Sequence, residues 1–180
     1  MDPLVEVAVA RLGLDGSTNT YVVILREKEG ERILPIWIGQ PEAESILLEM
    51  NQVRKERPLT HDLCKSLIVG LGAELQRVNI TKVENRTYFA ELMLVRNGEQ
   101  YQVDARPSDS IAIALRTASP VFAADSLLLE PPEMEGEGEE EAETMDPPLE
   151  SARNTDEMTA EQLKQYLSGL RPEDFGKFNP

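Results

Sequence analysis

Apolar and polar residues alternate from about residue 4 to 14, with Leu4, Glu6 and Ala8 on one side and Val5, Val7 and Val9 on the other. That is the two-residue period of a half-buried strand. A second strand, 20–28, and a third, 32–38, flank Glu29-Gly30-Glu31, a hairpin signal. The period then changes. Ala43, Ile46, Leu47, Met50 and Val53 recur at helical spacing behind Pro41, a residue suited to a first turn, so the pattern predicts a helix over 41–53. Thr60 opens another helix, with Leu63, Cys64, Leu67, Ile68 and Leu71 expected to face inward and Gly70 and Gly72 to close it. Strands return at 73–84, 87–96 and 99–105, the last two joined at Asn97-Gly98, and Pro107 opens a further helix.

The second half thus repeats the first. Thr20-Tyr21 answers Thr87-Tyr88, Gly30 answers Gly98 and Pro41 answers Pro107. The expected fold is α+β: duplicated βββα units forming a mixed or antiparallel sheet system, with helices covering its apolar faces. One domain is expected over residues 1–129. From Glu130 to Glu150 there are ten acids, four prolines and no base, a composition that cannot bury enough apolar surface to offset its ordering entropy. Residues 130–157 therefore read as an acidic disordered linker. Beyond it, Thr159 and Gln162 have capping-box spacing, and Leu163, Tyr166, Leu167 and Leu170 form an apolar stripe ending before Pro172. A helix that short is marginal alone in water, so 158–180 is expected to dock on this domain, on a dimer mate or on another protein.

Splitting the charge by position changes its meaning. The formal net charge is −15, but residues through Leu129 carry 18 acids and 14 bases, whereas those after it carry 15 acids and 4 bases. The acidic tail would repel a phosphate backbone; the nearly balanced body can still present a local basic patch. A single cysteine, Cys64, cannot form an internal disulfide, and no stretch approaches the apolar length of a membrane span. With no basic, apolar start to the chain, the expected compartment is the cytoplasm, without membrane association.

Chemistry can reside in three places. Asp104-Ala105-Arg106-Pro107-Ser108-Asp109 puts one carboxylate at a strand end, another in the first turn of the next helix and a guanidinium between them, as a metal-and-phosphate site requires. The plainer reading is that Asp109 serves the helix dipole, Ser108 satisfies free amides and Arg106 pairs with Asp104. His61, the chain's one histidine, stands beside Asp62 at another helix start, where an imidazole is kept neutral by the dipole and can ligate a metal or carry a proton. Both residues can equally be ordinary helix-start residues. Glu42 and Glu44, the first-half counterparts of the Asp104 segment, are expected in a first turn on electrostatic grounds alone. No phosphate-binding glycine loop, nucleophile elbow or paired-cysteine knot is present, which leaves carboxylate chemistry with a hard ion such as Mg²⁺ or Mn²⁺.

Three segments together resemble the bifunctional nuclease family: Ile33-Leu34-Pro35-Ile36-Trp37-Ile38-Gly39 with Glu42-Ala43, Arg57-Pro58-Leu59-Thr60-His61-Asp62-Leu63, and Asp104-Ala105-Arg106-Pro107-Ser108-Asp109. The last string, entering an alanine-rich helix, is the most specific. The resemblance, to a bacterial member, implies an α+β fold, a homodimer and, through plant relatives, cleavage of DNA and RNA. Its polar signature falls on His61, Asp62, Asp104, Arg106, Ser108, Asp109 and Glu42. The expected function is divalent-metal-assisted phosphodiester hydrolysis: Asp104 and Asp109, with Glu42, hold Mg²⁺ or Mn²⁺, His61 with Asp62 activates water, Arg106 steadies the phosphate, and Ser108 is a further catalytic candidate. The rival is a non-catalytic oligomeric module whose C-terminal helix recruits a protein partner.

Overall fold

The computed structural model describes residues 2–16 and 18–130. The expected linker beyond Glu130 and the expected helix at 158–180 lie outside the described residues. In chain order the elements are β1 (Leu4–Asp15), β2 (Thr20–Glu27), β3 (Ile33–Ile38), α1 (Gln40–Met50), α2 (Thr60–Gly70), β4 (Ala73–Glu84), β5 (Thr87–Arg96), β6 (Glu99–Ala105), α3 (Pro107–Thr117) and β7 (Val121–Ala124).

All seven strands form one sheet in the order β3-β2-β1-β7-β4-β5-β6. Its two outer triplets are antiparallel meanders running outward from β7, which pairs antiparallel with β1 and parallel with β4. The sheet is therefore mixed, and the expected βββα repeat is visible: β1-β2-β3-α1 and β4-β5-β6-α3 are related about β7. Two-residue turns join the hairpins of the β4-β5-β6 triplet. Asn97 and Gly98 both have positive φ (53° and 82°), as do Asn85 and Arg86 (49° and 63°), matching the twist of the strands they join.

Register assigns the faces. Val23 pairs with Ile36, Leu25 with Leu34, Val7 with Val121, and Val78 with both Val121 and Leu92. These residues are buried, and they form one core with Ala43 and Ile46 of α1 and with Ile111, Ala112 and Ala114 of α3. Fully burying each large aliphatic side chain contributes about 1.5–3 kcal/mol, so this face fixes register. The bulges at Val9/Arg11 of β1 and at Leu75/Arg77 and Ile80/Lys82 of β4 keep alternate residues on it despite an extra residue at each.

Two expectations about helices are corrected. The first helix stops at Met50 rather than 53, because Gln52 takes a left-handed φ of 55°. In α2 the inward face is not the leucine stripe. Leu63, Leu67 and Leu71 are more than half exposed, while Cys64 and Ile68 pack against the core and His61 is buried. The helix is rotated to place His61 inward, a choice that hydrophobic spacing alone does not reveal.

Candidate functional site

Three helix starts meet at one place. Glu42 lies in the first turn of α1, His61 and Asp62 in that of α2, and Asp109 in that of α3, with Arg106 as the cap residue before α3. Each helix begins where a strand or extended segment turns, and Pro41 and Pro107 occupy first-turn positions where a missing amide costs nothing. Gly39 leaves room for the Glu42 carboxylate: a Cβ there would press on Glu42 Oε2 and make that side chain shift. The Ser110 hydroxyl donates to the Arg106 carbonyl at 2.9 Å, securing the corner from which the arginine projects.

Arg106 is the hub. Its Nε donates to Asp109 Oδ2 at 2.8 Å, and its Nη2 donates to Glu42 Oε1 at 2.6 Å and to Asp109 Oδ1 at 3.2 Å. One nitrogen thus touches carboxylates from both halves of the duplicated chain. The side chain is 66% exposed, and Nη1 makes no hydrogen bond or ion pair with described residues, so part of the guanidinium faces solvent with donors to spare. Asp109 then passes the network to His61, whose Nε2 lies 3.0 Å from Asp109 Oδ1. A carboxylate only accepts, so Nε2 carries the hydrogen. His61 Nδ1 meets Ser45 Oγ at 2.8 Å, leaving neither ring nitrogen unpartnered.

The electrostatics follow from these contacts. Burial pushes the Asp109 carboxyl up, but Arg106 and then His61 outweigh it, and the group lies below its ordinary value. Asp109, followed by Glu42, raises the Arg106 guanidinium. Asp62 belongs to a neighbouring network: Arg116 Nε donates to its Oδ1 at 2.6 Å, and the Leu59 amide donates to its Oδ2 at 2.9 Å. Arg116 is the chief cause of a lowered Asp62 carboxyl, opposed by burial and reinforced by the Leu59 amide. Arg116, with a side chain only 3% exposed, also donates to the carbonyls of Ala112 and Ser45 and so ties α1, α2 and α3 together. Asp62 and Arg116 also line a hollow of about 340 Å³, with Arg54, Lys55 and Lys65.

The expected site is therefore assembled in part. Glu42, His61, Arg106 and Asp109 converge. Asp62 stands next to His61 in sequence but is bonded to Arg116, so the expected His61–Asp62 pair is replaced by His61–Asp109. Ser108 is buried beneath the start of α3 and makes no side-chain hydrogen bond among the described residues. Asp104 lies apart: it pairs in register with Glu91 on the sheet face opposite the helices, exposed and without a side-chain partner. Register explains the separation, since Ala105 points to the helix side and its predecessor must point away. Ser45 and Arg116 were not anticipated. The one signal for Arg116 is a charge four residues after Ala112 on a buried helical stripe.

The donor set bears on a hard cation. Among the described residues no group of three or more His, Cys, Asp or Glu side chains is placed to hold a metal. Glu42 and Asp109, brought to one nitrogen of Arg106, do fit the way Mg²⁺ is commonly held, by one or two carboxylates with substrate phosphate and water supplying the rest.

The residues that converge lie in a stretch matching a family model: the bifunctional nuclease domain matches residues 23–133. An uncharacterized protein of Mycobacterium tuberculosis is 41% identical over 171 residues, covering 94% of this chain and 97% of its own. Bifunctional nuclease 1 of Arabidopsis thaliana is 31% identical over 110 residues, and bifunctional nuclease 2 of Oryza sativa subsp. japonica is 33% identical over 109. These alignments cover 59% and 58% of this chain but only 34% of each plant protein. The fold and site define an α+β domain built around a junction of helix starts rich in carboxylates. The chain belongs to the bifunctional nuclease domain family.

Proposed function

We propose that this protein is a nuclease that hydrolyses phosphodiester bonds of DNA or RNA with little sequence preference, at the junction of the three helix starts. The observation that carries this reading is Arg106: an arginine braced by two carboxylates yet two-thirds exposed, with uncommitted donors pointing outward. The free hydrogens of Nη1 can donate to a phosphate oxygen, and the positive ends of three helix dipoles favour an anion there. The plant relatives are named bifunctional nucleases, which supports the same chemistry here.

In this scheme Arg106 receives the scissile phosphate. Glu42 and Asp109 are the carboxylates that would hold Mg²⁺ or Mn²⁺, which when bound supplies Lewis-acid activation of water. His61, 9% exposed and bonded at both nitrogens, is a positioning residue: it fixes Asp109 through Nε2 and is itself fixed by Ser45. Asp104 and Ser108 take no part. The test is hydrolysis of single- and double-stranded DNA and RNA by the purified chain with Mg²⁺, Mn²⁺ or chelator. Arg106→Ala is expected to lower kcat/KM by at least about a hundredfold, in line with loss of a preorganised charge contact. A wild-type chain inert on all four substrates with either ion rejects the proposal.

One observation favours a second reading. The polar groups of His61, Asp109 and Glu42 are engaged with one another or with Arg106, as in a structural clasp. A non-catalytic oligomeric module built on that clasp, recruiting a protein partner through residues 158–180, would show no hydrolysis, and Arg106→Ala would change stability alone.

A further inference from the structure

Basic side chains gather where the chain passes from α1 into α2. Residues 54–65 carry four bases, Arg54, Lys55, Arg57 and Lys65, against two acids, Glu56 and Asp62, in a body whose acids outnumber its bases. Three of those bases, Arg54, Lys55 and Lys65, line the hollow of about 340 Å³ that also contains the Asp62–Arg116 pair. That volume is at the lower end of what holds a small molecule, and Val53, Pro58 and Leu59 give the hollow an apolar wall.

The charges in the hollow are unequally engaged. Arg54 donates to Glu49 at 3.2 Å and Arg116 to Asp62 at 2.6 Å, so both of these carboxylates are answered. Lys55 and Lys65 are exposed and make no hydrogen bond or ion pair among the described residues, and of the lining acids only Glu56 is in the same state. An anion entering here meets two free ammonium groups against one free carboxylate. A phosphate diester suits that mixture, its charge on the lysines and its sugar on the apolar wall.

Placement connects the hollow to the helix junction. Asp109 and Arg116 are seven residues apart on α3, so they lie on nearly the same side of the helix, about 10.5 Å apart along its axis. They contact successive residues of α2, His61 and Asp62. A nucleic-acid strand carries a phosphate every roughly 3.4 Å when stacked, and at wider intervals when drawn out, so a strand held at Arg106 brings a phosphate two or three nucleotides away to the hollow. We propose that the hollow is a subsite for that strand, in which Lys55 and Lys65 engage a phosphate two or three nucleotides from the bond held at Arg106. The inference rests on the nuclease reading for its ligand and adds a length requirement: a substrate too short to reach the lysines gains nothing from them.

Fluorescence anisotropy of the full-length chain with a labelled oligothymidylate of about twelve nucleotides, in chelator, reads the subsite without turnover. At about 0.1 M salt, where charges beyond roughly 10 Å are screened, Lys55→Gln with Lys65→Gln should weaken binding at least about tenfold. The same pair should lessen the slope of log affinity against log salt by about 0.7–1.4, one or two counterions at ~0.7 each. Arg86→Gln with Arg96→Gln removes equal charge outside the hollow and should leave affinity within about twofold. With Mn²⁺, the lysine pair should raise KM at least about tenfold on the oligonucleotide and leave it within about twofold on a dinucleotide, with kcat unchanged on both. Unchanged binding in the lysine pair, equal losses in the two double variants, or an equal rise in KM on the dinucleotide would each overturn the subsite. A wild type that binds through the lysines yet hydrolyses nothing would uphold the hollow as a strand site and reject the nuclease reading alone.

Discussion

Asp109 holds three relations at once: it braces Arg106, accepts from His61 and begins α3. Its carboxyl, like that of Asp62, lies below the ordinary value in the folded chain. A carboxylate depressed by folding stabilises the native state at pH above its unfolded value, 3.8, and that stabilisation is lost as pH falls through the lower folded value. Unfolding by denaturant is therefore expected to become easier from about pH 4 downward. Asp109→Asn should flatten that acid limb when midpoints are compared between pH 3 and 6 in roughly half-unit steps. A midpoint independent of pH across that range would show that the clasp does not persist in solution.

At the scale of elements, Arg116 ties the junction together, because one guanidinium binds a carboxylate of α2, a carbonyl of α1 and a carbonyl of its own helix. Replacing it by Leu strands Asp62 and the Ser45 carbonyl. The expected cost is about 3 kcal/mol, the lower end of the range for breaking a buried pair because Asp62 is a third exposed. Thermal unfolding should show a midpoint lower by roughly 10 °C; a shift under about 2 °C would contradict the assignment. Most elements were legible in the sequence because period and turn chemistry agreed, as at Asn97-Gly98 and Pro107. β7 was not, since Val121-Phe122-Ala123-Ala124 is four residues long without alternation and is defined only by pairing with both halves. The rotation of α2 was also hidden. Its leucine stripe is the more apolar face, yet the inward position goes to His61, whose partners Ser45 and Asp109 come from two other helices. The site was legible as residue types at helix starts; which of them meet depended on contacts across 48 and 64 residues of sequence.

In the whole molecule, duplication explains both the sheet and the site. Two βββα units placed about β7 bring the starts of α1 and α3 together, so that Glu42 of one unit and Asp109 of the other are joined by one arginine. The short insertion carrying α2 adds the histidine. Asp104 and Asp109, five residues apart, leave on opposite sides of the sheet, which turns the proposed chemistry into a sharp comparison. Single-turnover cleavage of a labelled oligonucleotide with Mn²⁺ should fall at least about a hundredfold in Asp109→Asn and stay within about threefold of wild type in Asp104→Asn. Cleavage retained by Asp109→Asn, or lost in Asp104→Asn while its fold is intact, would contradict the account.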